Sequence, residues 1–341
     1  MALTADEALL RGEEAWSDGD AEEALAWAER ALSLEPRHAG ALDLKATALA
    51  ELGEWDEAMA LFDHLAGLEP KNPLHLLAAA DVRIRAADDD RELLEEALEL
   101  LERARALAKG DPEVAAELAL LRGIVLNQLG DSEAALRELD RVLAGDPEHP
   151  EARLERALAL FELGRFDEAA GALEAITRDH PDEPWAFHYL GLIAERRGKD
   201  PQPLFAKARA LDPEGFPPPV QLTPEAFDAA VAEAIDSLPE HARPALDNAV
   251  IAVEPIPSDD DVKEGLSPTS LGVFQGTPLD ERSPVEAAHH QTARIALFQK
   301  NLERFARTRE ELVEEIRVTV LHEVGHLLGL DEDELFERGL D

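Results

Sequence analysis

A 34-residue register runs through the first two thirds of this chain, and it restricts the fold more than any other feature. Gly19, Gly53, Gly130, Gly164 and Gly198 mark it, at successive spacings of 34, 77, 34 and 34 residues. Pro36 and Pro70 are 34 apart, and so are Pro147 and Pro181. Each period reads as an apolar helix, a turn at glycine, a second helix, and a proline that cannot continue it. GDAEEALAWAERALSLEP, GEWDEAMALFDHLAGLEP, GDSEAALRELDRVLAGDP and GRFDEAAGALEAITRDHP all read this way. Ala24 and Ala31 recur as Ala58 and Leu65, Ala135 and Val142, Ala169 and Ile176, where closely packed helices need them. Six units fit residues 1–213; the third, around ADDDRELLEEALELLERARALAKGDP, carries an insertion that explains the 77-residue gap. The last, GKDPQPLFAKARALDP, is two residues short and has prolines in its second helix, as a terminal unit would.

The period and the places of Gly, Ala and Pro resemble the tetratricopeptide repeat. That resemblance implies an all-α solenoid whose first helices line a groove for an extended or helical peptide. Asn127, Phe161, Trp185 and His188 are candidates for the groove, and ordinary packing explains each of them equally well. Few Lys or Arg fall at the inner positions, so a clamp for a partner's C-terminal carboxylate is not indicated.

Charge narrows the choice of partner. Asp and Glu number 74 against 33 Lys and Arg, a formal net charge of -41. Such a chain repels phosphate backbones and anionic lipid, so neither nucleic acid nor membrane is expected, and a neutral or basic polypeptide is. There are no cysteines, which leaves His and carboxylates to hold any transition metal. MALTADEALLRGEE lacks the basic and apolar regions of a signal peptide, and no apolar run approaches a membrane span. A cytoplasmic location is the expectation.

EGFPPPVQL breaks the helical pattern, and its three consecutive prolines predict an extended spacer over 214–221. TPEAFDAAVAEAIDSL predicts a new helix, with Thr223 as its cap and Pro224 at its first position. NAVIAVEPIP, LGVFQGTPL and RIALFQ read as strands, and SDDDVKEGLSPTS and ERSPVEAAHHQ as loops. TREELVEEIRVTVLHEVGHLLGL then predicts a long helix capped by Thr308, with Glu311 three residues on. Residues 222–341 are thus expected to form a small α+β domain.

That last helix carries the chemistry. His322 and His326 are four apart and share one helical face, so two imidazoles can grip one ion. Glu323 can hold a metal-polarised water without itself being a ligand. Gly329, three residues past His326, can let the chain leave the helix through a left-handed turn and swing back. Asp331 fits the N-cap of a short final helix, DELFERG, with Glu334 completing a capping box.

HEVGHLLGL resembles the HExxHxxGxxH pattern of metzincin metallopeptidases, with Glu332 where their third histidine falls. The only methionines are Met1 and Met59, so the metzincin methionine turn is missing. The chain more closely resembles the minimal zincin-like metallopeptidases of bacteria, over roughly residues 222–341. The resemblance includes TPEAFDAAVAEAIDSLP, SLGVFQGTPLDERS and REELVEEIRVTVLHEVGHLLGLDEDEL. It implies Zn2+ held by His322, His326 and Glu332, with Asp331 as the alternative third ligand; the family usually has aspartate there. It also implies peptide-bond hydrolysis with Glu323 as base. LGVFQG reads either as an edge strand that aligns a substrate or as a plain structural strand. His289, His290 and Arg294 read as loop or surface residues.

The expected architecture is two domains, an all-α repeat solenoid over 1–213 and a zincin-like α+β domain over 222–341, joined by 214–221. The expected function is a zinc metallopeptidase whose repeats recruit a protein partner or substrate. A non-catalytic scaffold with a structural or vestigial zinc site, and a hydrolase of non-peptide amides, are the alternatives. A purely structural site has no need of a base at Glu323.

Overall fold

The computed structural model of the chain describes residues 3–88, 90–108, 110–238, 246, 249–278, 293–330, 334 and 335. Packing divides it into two compact units, Met1–Leu160 and Phe161–Asp341.

The first unit is built of helical hairpins. They are α1 (Ala5–Ser17) with α2 (Ala21–Leu34), α3 (Ala39–Glu51) with α4 (Trp55–Leu68), α5 (Pro73–Ala86) with α6 (Arg91–Leu107), and α7 (Pro112–Gln128) with α8 (Ser132–Gly145). Most of α9 (Pro150–Glu162) follows. The starts are capped as the sequence suggests: Thr4 and Glu7 form a reciprocal box, and Asp20, Asp90, Asp111 and Asp131 each accept from a first-turn amide. Ala24, Ala31, Ala58, Leu65 and Ala135 are all fully buried between helices. Glycines at the hairpin turns adopt φ of 67 to 85°, which costs any other residue strain; in the third hairpin Asp88 takes the turn at φ 48°. The 77-residue gap is filled mainly by helix, since α6 and α7 each run 17 residues against 13 or 14 in their neighbours.

The second unit opens with α10 (Phe166–Asp179), α11 (Pro184–Arg196) and α12 (Gln202–Leu211), then α13 (Pro224–Ser237). Three strands follow: β1 (Ala249–Glu254), β2 (Gly272–Gln275) and β3 (Ala293–Phe298). β3 lies in the middle, parallel to β1 and antiparallel to β2, so among the described strands β2 is an edge. Ala293, Ile295 and Leu297 alternate along β3 and are fully buried against α13 and α16 (Arg309–Leu327). α16 contributes Leu312, Ile316, Val320, Val324 and Leu327, a stripe at helical spacing that is almost wholly buried. At roughly 1.5–3 kcal/mol per buried side chain, that stripe outweighs any preference of the helix on its own.

One expectation changes here. SDDDVKEGLSPTS is not all loop, because Ser258 and Asp261 cap each other reciprocally and start a short helix, α14 (Asp259–Lys263). Five residues are too few for a periodicity to show. The proline stretch makes contacts of its own. Phe216 is 7% exposed, and Val220 N–H and Leu222 N–H donate to the Glu303 carbonyl and carboxylate of α15 (Gln299–Phe305). No helix among the described residues is long and apolar enough to cross a membrane.

Candidate active site

α16 has its two histidines on the flank of the buried stripe. His322 Nε2 and His326 Nε2 lie 3.1 Å apart, with the rings edge to face at 4.7 Å. Glu323 is one residue round the helix and only 7% exposed. Their positions follow from where the helix stops. Leu330 N–H donates to the Gly325 carbonyl and Gly329 N–H to that of His326, each at 3.0 Å, with Gly329 at φ 88°. This is the paired end-of-helix bonding that a left-handed residue makes available. The turn brings the Leu330 carbonyl to 3.2 Å from His326 Nδ1. A carbonyl can only accept, so Nδ1 carries the proton and Nε2 presents its lone pair toward His322.

Gly325, inside the motif, lies under Leu335, which is fully buried. A side chain at Gly325 would meet that leucine, so Leu335 packs over the helix.

These groups face a cavity of about 630 Å³. One wall is His322, Glu323, His326 and Gly329; the other is β2, through Gly272, Val273 and Phe274, together with Leu266 and Ser270 of the loop before it. Gly272 makes the close approach of strand to helix. A Cβ there would sit 2.6 Å from Thr319 Cγ2 of α16 and 3.2 Å from the Ala296 carbonyl. The walls mix polar groups (Ser270, His322, Glu323 and His326) with the apolar side chains of Leu266, Val273 and Phe274.

His322 and His326 could hold one ion. A tetrahedral zinc about 2.0–2.1 Å from two imidazole nitrogens sets them roughly 3.3 Å apart, close to the spacing seen. Among the described residues no third His, Asp or Glu joins them in a metal-binding group. Glu332 and Asp331, the candidate third ligands, lie outside the described residues, as do His289 and His290. Arg294 is in β3 and is held by Glu254 and Gln275.

The groove candidates fall in both compact units. Asn127 of α7 donates through Nδ2 to the Glu155 carbonyl and carboxylate, at 3.0 and 2.9 Å, and its buried Oδ1 has no partner among the described residues. Phe161 is 2% exposed, edge-on to Phe166 and Tyr189; it is core and presents no groove surface. Trp185 is 45% exposed with its ring edge on Phe216. His188 packs between Phe205 and Phe216, and burial, with the Arg304 charge, pushes its pKa down to about 4.

Sequence reasoning missed a row of carboxylates on the first helices of the first unit. Burial raises the pKa of Asp43, Asp81, Glu117 and Glu151, and that of Glu155 to about 7. The available signal was acids recurring on helices that the repeat register assigns to the inner side.

Helical-hairpin repeats followed by a small α+β domain with a paired-histidine helix define a class: a repeat protein that carries a metallopeptidase-type domain. The profile of the zincin-like metallopeptidases matches residues 246–340, and tetratricopeptide repeat profiles match 15–81, 83–150, 120–184 and 154–215. The chain belongs to the tetratricopeptide repeat proteins, and its residues 246–340 are similar to the zincin-like metallopeptidases.

Solved structures resemble the repeats. A chain of the APC/C hetero-tetramer Cut9-Hcn1 is 19% identical over 66% of this chain and 42% of that one, with a TM-score of 0.53. PilW, a type IV pilus biogenesis factor, is 19% identical over 62% of this chain and 94% of its own, at 0.52. A thermophilic TPR protein of Thermus thermophilus is 26% identical over 55% of this chain and 97% of its own, at 0.46. What the first two share with this chain is the fold.

Proposed function

We propose that the protein is a zinc-dependent metallopeptidase whose repeats recruit a polypeptide partner or substrate. The observation that carries the reading is the convergence of His322 Nε2 and His326 Nε2, 3.1 Å apart, beside a buried Glu323 in a cleft bounded by an edge strand. Zinc, when bound, supplies Lewis acidity that activates water and polarises a carbonyl. His322 and His326 hold it, and the Leu330 carbonyl keeps His326 in the tautomer that can. Glu323 takes the proton from the attacking water and returns it to the departing amine. β2, an edge among the described strands, aligns the substrate backbone, and Val273 and Phe274 take its side chains. A net charge of -41 supports a neutral or basic polypeptide as the partner, and a cytoplasmic location rather than one on anionic lipid.

Metal analysis joined to cleavage of a broad peptide library tests this. The parent binds one zinc per chain, and His322→Ala or His326→Ala loses it. Glu323→Gln keeps zinc and loses cleavage, because the base goes while the ligands remain. Tight zinc in a parent that cleaves nothing would establish the scaffold reading instead.

Glu332 is assigned as the third protein ligand, with the fourth position left open. Glu332→Ala then weakens zinc by at least about tenfold. Asp331→Ala, which removes the cap expected from the sequence, costs on the order of 1 kcal/mol of stability and leaves zinc affinity little changed. The reverse pattern would hand the role to Asp331.

A further inference from the structure

The loop that joins β1 to β2, residues 255–271, forms part of the cleft wall, and the repeats hold it. Leu266 and Ser270 face His322, Glu323 and His326 across the cavity. Within a dozen residues of Leu266 three contacts reach back to repeat helices of the same compact unit. Arg196, near the end of α11, donates from one guanidinium nitrogen to the Pro257 carbonyl at 2.9 Å and the Asp259 carboxylate at 3.0 Å. Its side chain is 8% exposed and lies over the Phe166 ring at 4.7 Å, so it is a packed anchor rather than a surface pair. Ser267 Oγ donates to the Glu162 carboxylate at 2.7 Å. Between these, Val262 of α14 is pressed on the turn at Gly164, where a Cβ would stand 2.8 Å from Val262 Cγ1.

The C-terminal domain itself holds the two ends of the loop and one point within it, where Gln275 of β2 donates to the Asp261 carboxylate at 3.0 Å. Asn301 of α15 donates to the Pro268 and Ser270 carbonyls, and Lys300 N–H to that of Pro255. α15 is itself tied to the repeats, since Glu195 of α11 pairs with both Lys300 and Arg304. Residues 257–267 of the loop thus draw most of their fixed contacts from α9 to α11.

We infer that Glu162 and Arg196 are positioning residues for the cleft: they set where Leu266 stands opposite the zinc helix, and the last repeats are therefore a working part of the peptidase. This rests on the peptidase reading above for its catalytic consequence, but the positioning itself does not. A wall that lines the substrate and not the metal acts on substrate alignment, so its loosening raises KM while zinc binding is untouched. Whatever seats on or shifts the last repeats is then felt in the cleft through this loop.

The experiment compares the full-length parent with Glu162→Ala, Glu162→Gln and Arg196→Ala. Amide hydrogen exchange is read over 257–271 and over α16, together with zinc stoichiometry and peptide-cleavage kinetics. Glu162→Gln keeps an oxygen that can accept from Ser267 and serves as the conservative rescue. Expected are faster exchange over 257–271 in both alanine variants, unchanged protection of α16, full zinc, and KM raised about tenfold, with Glu162→Gln at parental values. Unchanged exchange over 257–271 in both alanine variants overturns the proposal, and so does a loss spread evenly through α16, which would mean general destabilisation. A parent that cleaves no peptide removes the peptidase reading, yet the exchange result still decides whether the repeats position this wall.

Discussion

His326 shows how much one side chain depends on its surroundings. Its Nδ1–H is committed to the Leu330 carbonyl, and that commitment turns Nε2 toward His322. Glu155 shows the same dependence in the first unit. Burial pushes its pKa up to about 7, against the hydrogen bond from Asn127, with the Glu151 charge adding to the rise. An unfolded glutamate titrates near 4.3, so between about pH 4.3 and 7 the native state holds the extra proton. Stability from this group is therefore present below about pH 4.3 and is lost as pH rises through 7. Glu155→Gln removes the titration and keeps an acceptor for Asn127. Urea midpoints should show the variant more stable than the parent above pH 7, by on the order of 1–3 kcal/mol, with the gap closing toward pH 4.5. A gap that does not vary with pH would show that Glu155 does not titrate in this window.

At the scale of the element, the end of α16 is the part on which the site turns. Gly329 at φ 88° lets the chain reverse, and the reversal delivers the Leu330 carbonyl to His326 and Leu335 to Gly325. Gly329→Ala places a Cβ in the left-handed region at a cost of about 1–2 kcal/mol. Relaxing that strain moves the carbonyl, so zinc affinity should fall about tenfold or more, as for other losses of a ligand's supporting bond. Denaturation with metal titration checks both, and a variant of parental zinc affinity would separate the turn from the site. The helix, its Thr308 cap and the three strands were legible in the sequence because each depends on neighbours within a few residues. α14 was not, since a helix of one turn leaves no period to read. Glu311 is a finer case: its amide donates to the Thr308 hydroxyl oxygen, while its carboxylate accepts from Arg307 N–H.

For the whole molecule, the sequence pattern and the packing divide the chain differently. The repeat pattern runs to 213, whereas contacts gather α10 to α12 with the C-terminal domain in one unit from Phe161. Residues 222–341 nevertheless contain the whole buried core around β3, from Phe227 to Leu327. Expressed alone they should fold and bind zinc, with a lower urea midpoint than residues 161–341, because Glu195 and Arg196 no longer meet Lys300, Arg304 and Asp259. Equal midpoints would show that those contacts contribute nothing to stability. The sequence by itself determined the repeat register, the helix and strand order, and the paired histidines with their glutamate, all of which arise from spacings of 2, 4 or 34 residues. Only the tertiary structure decided that Phe161 is core, that β2 and Leu266 face the histidines, and that the last repeats hold the cleft wall. The contacts of the last repeats with the loop and α15 join residues 61 to 109 positions apart, and no local period records which distant side chains folding brings together.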